Sequence, residues 1–159
     1  MGEKSMPEMR DPVHLIAFGF GSGLLPKAPG SYGTLVGVPI YLLIQPLSTV
    51  YYLIILLAAF VLGVWVCGRT SRDLGVHDHG GIVWDEIVGY LVTMTFAPAG
   101  WLWLVIGFLL FRLFDIVKPW PIRWIDSKVG GGFGIMLDDL LAGILAAGAV
   151  ALLDATGWF

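Results

Sequence analysis

The sequence predicts an all-α, multi-pass membrane protein of short helical hairpins with a Gly/Pro-rich N-terminal loop. Three observations carry that reading. The chain is 57% hydrophobic and only 13% charged, whereas soluble domains carry roughly 25% charged residues. Its mean hydropathy is +0.84. Residues 33–67 and 87–111 contain no charge, and each run is interrupted by a turn signal. Seven Trp and five Tyr suit anchoring at a membrane interface.

The elements follow in order. The 159 residues suit a single domain over 1–159 with a polar N-terminal tail over 1–12. The following HLIAFGFGSGLL is broken by Gly19, Gly21 and Gly23, and it lacks the features of a cleavable signal. Gln45 and Pro46 divide the first uncharged run into a helix over roughly 33–45 and a longer one over roughly 48–67. The second, VYYLIILLAAFVLGVWVC, approaches the about 20 residues needed to span a bilayer. FAPAG (96–100) either kinks the next run or splits it into two short helices. Residues 140–153, LLAGILAAGAVALL, form a last helix whose small residues permit close packing.

The basic residues favour the split. All nine fall in the N-terminal segment (Lys4, Arg10, Lys27), the 68–86 connection (Arg69, Arg72) or the 112–139 connection (Arg112, Lys118, Arg123, Lys128). Two hairpins put all three groups on one side, which the positive-inside rule makes cytoplasmic. The cost is helices of about a dozen residues, too short to cross about 30 Å of hydrocarbon unless protein surrounds them. The net charge of −3 gives no sign of nucleic-acid binding. The single Cys67 excludes an intrachain disulfide, and its apolar setting suits packing.

Six acids lie in or beside apolar helices: Asp78, Asp85, Glu86, Asp115, Asp138 and Asp139. Each has an ordinary reading. Asp85 and Asp138 could cap helices, Asp115 could pair with Arg112 or Lys118, and Asp78 could turn the chain in HDHGG. Together they point elsewhere. Three segments bring carboxylates to helix ends on one predicted side, and clustered carboxylates need a cation. Hard oxygen donors without cysteine suit Mg²⁺ or Ca²⁺. The histidines of HDH are poor ligands for Mg²⁺, so only Asp78 of that trio is a candidate. Arg112, Asp115 and Lys118 recur every three residues on one broad helix face before Pro119 stops it. Acid and base mixed there suit a phosphate beside a metal, or an internal ion-pair tether. GFGSGLLPKAPGSYGTL (19–35) could cradle an anion through backbone N–H groups, with Lys27, Ser22, Ser31 and Thr34 in support, or simply turn at the membrane edge. GGGFGIMLDD (130–139) admits the same two readings.

GFGSGLLPKAPGSYGTL, GIVWDEIVGY, FRLFDIVKPWPI and GGFGIMLDDLLAG, in this order, resemble the phosphatidylglycerophosphatase A family of bacterial membrane lipid phosphatases. The resemblance runs from about His14 to Gly148, with no departure at the charged positions. It implies an all-helical fold and Mg²⁺-dependent hydrolysis of phosphatidylglycerophosphate to phosphatidylglycerol and inorganic phosphate at the inner membrane. Its pattern maps onto Asp85, Glu86, Arg112, Asp115, Lys118, Asp138 and Asp139. Asp78 matches an acid a few residues before the Asp-Glu pair. The first motif carries over as Gly21, Gly23, Pro26, Pro29, Gly30, Gly33 and Thr34.

The expectation is therefore a phosphatase in the lipid bilayer whose site faces the cytoplasm. Asp85, Glu86, Asp115 and Asp139 are the catalytic candidates. Those four with Asp78 and Asp138 are the candidate metal ligands. Lys27, Thr34, Arg112 and Lys118 are the candidate phosphate contacts. An ion-coupled transporter with buried carboxylates, or a non-catalytic membrane subunit, is the alternative.

Overall fold

The structure, a computed structural model, describes residues 6–157. Lys4 and the start of the polar tail lie outside the described residues. Among them there are seven α-helices and no strand: α1 (Pro12–Ala17), α2 (Pro29–Ile44), α3 (Thr49–Leu74), α4 (Trp84–Thr93), α5 (Trp101–Val117), α6 (Ile122–Lys128) and α7 (Gly131–Ala155). A 3-10 segment, Gly19–Leu24, follows α1. The Asp11 carboxylate caps α1 by accepting from the Val13 N–H at 2.8 Å.

Helices α2, α3, α4, α5 and α7 run alternately up and down. Tyr41 and Tyr52 meet edge-to-face at 6.4 Å across the turn from α2 to α3. The Tyr52 hydroxyl donates to the Leu91 carbonyl at 2.7 Å, which ties α3 to the far end of α4. The Tyr90 hydroxyl donates to the Leu104 carbonyl at 3.1 Å, so α4 and α5 form an antiparallel hairpin around FAPAG. Pro98 and Gly100 thus separate two helices rather than kink one. α7 returns parallel to α4.

Short α4 occupies the middle of the bundle. Nine of its ten residues are buried, Glu86 being the tenth. Its length of about 15 Å cannot cross a bilayer, but protein surrounds it on every side. The lipid-like surface belongs to other helices. α3 and α7 are each long and apolar enough to span a membrane, at about 39 and 37 Å. Leu53, Ile54, Leu57, Val61 and Trp65 on α3 all face outward.

Two boundaries differ from expectation. α3 runs two turns past Cys67 and carries Arg69, Arg72 and Asp73 before Gly75 ends it with φ +65°. α7 begins at Gly131, nine residues before the predicted start, so the glycine-rich stretch is helix and not loop. Packing overrides propensity there. A Cβ on Gly132 would collide with the Val64 carbonyl and Gly68 of α3. Only glycine lets the two backbones meet so closely.

Candidate metal and phosphate site

Five chain ends converge at one end of the bundle: the starts of α2, α4 and α7, and the ends of α3 and α5. Asp85 and Glu86 sit in the first turn of α4, where the helix dipole favours negative charge. Asp138 and Asp139 lie two turns inside α7. Neither Asp85 nor Asp138 is a cap, contrary to the ordinary reading of each. Val83 and Gly130 occupy the N-cap positions, and neither makes a side-chain cap.

Asp85, Glu86 and Asp139 each offer a carboxylate oxygen, and these oxygens lie within 4.8 Å of one another. Asp85 is 7% exposed and Asp139 3%. The Asp85 Oδ1, Glu86 Oε2 and Asp139 Oδ2 atoms are buried with no hydrogen-bond partner. Such atoms are costly unless something neutralises them. Three converging hard oxygens fit a divalent cation of the Mg²⁺ or Ca²⁺ kind.

Cations border this group. Arg112 on α5 bonds Asp115 one turn on. Its Nη1 also lies 3.8 Å from Glu86 Oε1, and its Nε is buried without a partner. Lys118 ends α5 with φ +45°, a left-handed turn that aims its ammonium at α7. Its Nζ lies 2.7 Å from Asp138 Oδ2 and 3.3 Å from Asp126 Oδ2. Partial burial pulls the Lys118 pKa down, but the bond to Asp138 and the nearby Asp126 charge outweigh it and raise it. The ammonium therefore stays protonated.

Gly30, near the start of α2, closes the other side. A Cβ there would meet the Glu86 carboxylate and both terminal nitrogens of Arg112. The preceding Lys27 and Ala28 both adopt left-handed backbone, with φ +60° and +63°. For non-glycine residues this costs roughly 1–2 kcal/mol each. Such strain collects at sites where chain direction matters.

The structure thus gathers Asp85, Glu86, Arg112, Asp115, Lys118, Asp138 and Asp139. Three predicted residues stand differently. Thr34 is fully buried and its hydroxyl donates to the Gly30 carbonyl at 2.8 Å. Lys27 is exposed on the approach to α2. Asp78 is exposed in the bend between α3 and α4, outside the three-carboxylate group. Asp126 was not anticipated as Lys118's second partner; a lone acid in IRWIDSK gives no signal of it.

Residues 15–154 match the sequence profile of the family described as phosphatidylglycerophosphatase A. A protein of that name from Escherichia coli (strain K12) is 47% identical over 146 residues, covering 91% of this chain and 85% of the relative. One from Haemophilus influenzae is 49% identical over 138 residues, covering 86% and 85%. A Bacteroides thetaiotaomicron protein, provisionally named a phosphatidylinositol-3-phosphatase, is 38% identical over 138 residues, covering 82% and 86%. No solved structure matches. The chain belongs to the phosphatidylglycerophosphatase A family.

Proposed function

We propose that the protein is a Mg²⁺-dependent phosphatase that hydrolyses phosphatidylglycerophosphate to phosphatidylglycerol and inorganic phosphate. The observation that carries this is the group of buried carboxylate oxygens without partners, set beside Arg112 and Lys118. The named lipid and that of the Bacteroides relative both place a phosphate monoester beyond a phosphodiester.

Asp85, Glu86 and Asp139 would hold the cation. When bound, Mg²⁺ supplies Lewis acidity at a phosphoryl oxygen and offsets charge there. Arg112, with an unpartnered Nε and terminal nitrogens facing Glu86, orients the phosphate and stabilises its equatorial oxygens. Lys118 adds a fixed positive charge. Hydrolysis breaks the bond between phosphorus and the terminal glycerol oxygen, and water supplies the new oxygen of phosphate. Asp115 neighbours Asp139 and lies outside the group of three converging oxygens, so it is assigned the proton transfer. Attack by a carboxylate would instead leave a phospho-aspartate, which single-turnover trapping with labelled lipid detects.

The site faces the cytoplasm of a multi-pass inner-membrane protein in this reading. The alternating helices bring the described basic residues of all three groups to the site's end of the bundle. Acyl chains stay beside the apolar faces while the head group reaches the charged end.

The test adds purified protein to phosphatidylglycerophosphate in micelles with Mg²⁺ or with EDTA, and measures phosphate. Metal-dependent release supports the reading. Folded protein that releases none, or that moves a solute across vesicles instead, contradicts it.

A further inference from the structure

A surface groove lies next to this site, on α6 and the turn before it. Lys118, Trp120, Arg123 and Trp124 line this groove of about 650 Å³. Its rim is conspicuously apolar for an exposed surface. Trp120 is 83% exposed, Trp124 57%, and Ile116 and Val117 beside them are also exposed. An apolar, tryptophan-bearing surface suits the level where head groups meet acyl chains.

The charges in the groove are unequal in their commitments. Lys118 already pairs with Asp138 and Asp126. Those bonds neutralise the acid of α6. Arg123, exposed on the same short helix, makes no ion pair among the described residues. A guanidinium left open beside two tryptophans is suited to an anionic group at the membrane interface. Its planar fork matches phosphate oxygens better than a point charge does.

Resting on the phosphatase reading above, we propose that Arg123, flanked by Trp120 and Trp124, binds the inner phosphodiester of the lipid substrate. The proposed substrate carries two phosphates separated by one glycerol. Lys118 belongs both to this groove and to the charged cluster that would receive the outer phosphate. Lys118 therefore adjoins both the groove and the cluster, as two phosphates of one head group require. Recognition of the diester serves specificity. It holds the lipid with only its terminal monoester in reach, and it does not take part in bond breaking.

The experiment measures KM and kcat for phosphatidylglycerophosphate in micelles of fixed composition. Arg123→Gln should raise KM about tenfold, the size expected for losing one charge-assisted phosphate contact. Its kcat should stay within about twofold, since the contact is equal in ground and transition states. Arg123→Lys should give an intermediate KM. Phosphatidylglycerol, which keeps the diester, should inhibit the wild type competitively and Arg123→Gln more weakly by a similar factor. Arg72→Gln removes an exposed arginine elsewhere at the same end and should leave both constants unchanged. An unchanged KM in Arg123→Gln, or an equal rise in Arg72→Gln, overturns the subsite while leaving the phosphatase reading intact. An inactive wild type sinks that reading itself.

Discussion

Two groups of acids stand side by side in this protein and differ in one respect. Asp115 and Asp138 each have a cation, Arg112 and Lys118 respectively. Asp85, Glu86 and Asp139 each keep a buried oxygen with no partner at all. The first arrangement is what a folded chain needs for itself. The second is costly for the chain alone, and a bound divalent cation would offset that cost. The contrast separates acids that the fold itself neutralises from acids that each keep one unsatisfied buried oxygen, even Glu86 beside Arg112.

Neutral isosteres should break this contrast most strongly. Asp85→Asn, Glu86→Gln and Asp139→Asn should each lower kcat by about a thousandfold, the loss expected for a misplaced Lewis acid. Thermal melts in EDTA should nonetheless show equal or higher stability, because each change removes repulsion among buried carboxylates. Added Mg²⁺ should raise the wild-type midpoint and not that of the variants. Lower stability in EDTA would mean that these acids tether helices.

Gly30→Ala comes next. Alanine is the better helix former, yet its methyl group would push Glu86 and Arg112 apart. Displacing these groups should reduce kcat/KM by about ten- to a hundredfold. Lys118→Met tests the paired group. It leaves Asp138 buried without its cation, at a cost of about 1–3 kcal/mol given the partial exposure of Lys118. Chemical denaturation reads that loss directly. The smallest effect belongs to Thr34→Val. Its hydroxyl is already bonded to Gly30, so kcat should change less than about twofold and stability by about 1 kcal/mol. A large kinetic defect there would return Thr34 to the phosphate site.

Much of this was legible in the sequence, for identifiable reasons. The absence of charge over 33–67 and 87–111 marked the helices, and FAPAG marked the split between α4 and α5. The clustering of arginines and lysines in three connections anticipated that the described ones meet at one end. The start of α7 was hidden because four glycines in 130–134 read as loop. Only the backbone contact between Gly132 and α3 shows why helix wins there. That same error placed Asp138 and Asp139 at a helix end when they lie inside one. Sequence also could not separate Asp78, on an exposed bend, from the three acids that converge. Burial and partnership are properties of the packed bundle, and residue type alone does not carry them.

The most direct test of the account is single-turnover release of phosphate from phosphatidylglycerophosphate as Mg²⁺ is titrated, for the wild type and for Glu86→Gln. The account predicts saturable, EDTA-sensitive release by the wild type and a rate about a thousandfold lower for Glu86→Gln at every Mg²⁺ concentration. Release that persists undiminished in EDTA, or a Glu86→Gln protein working at the wild-type rate, would contradict it.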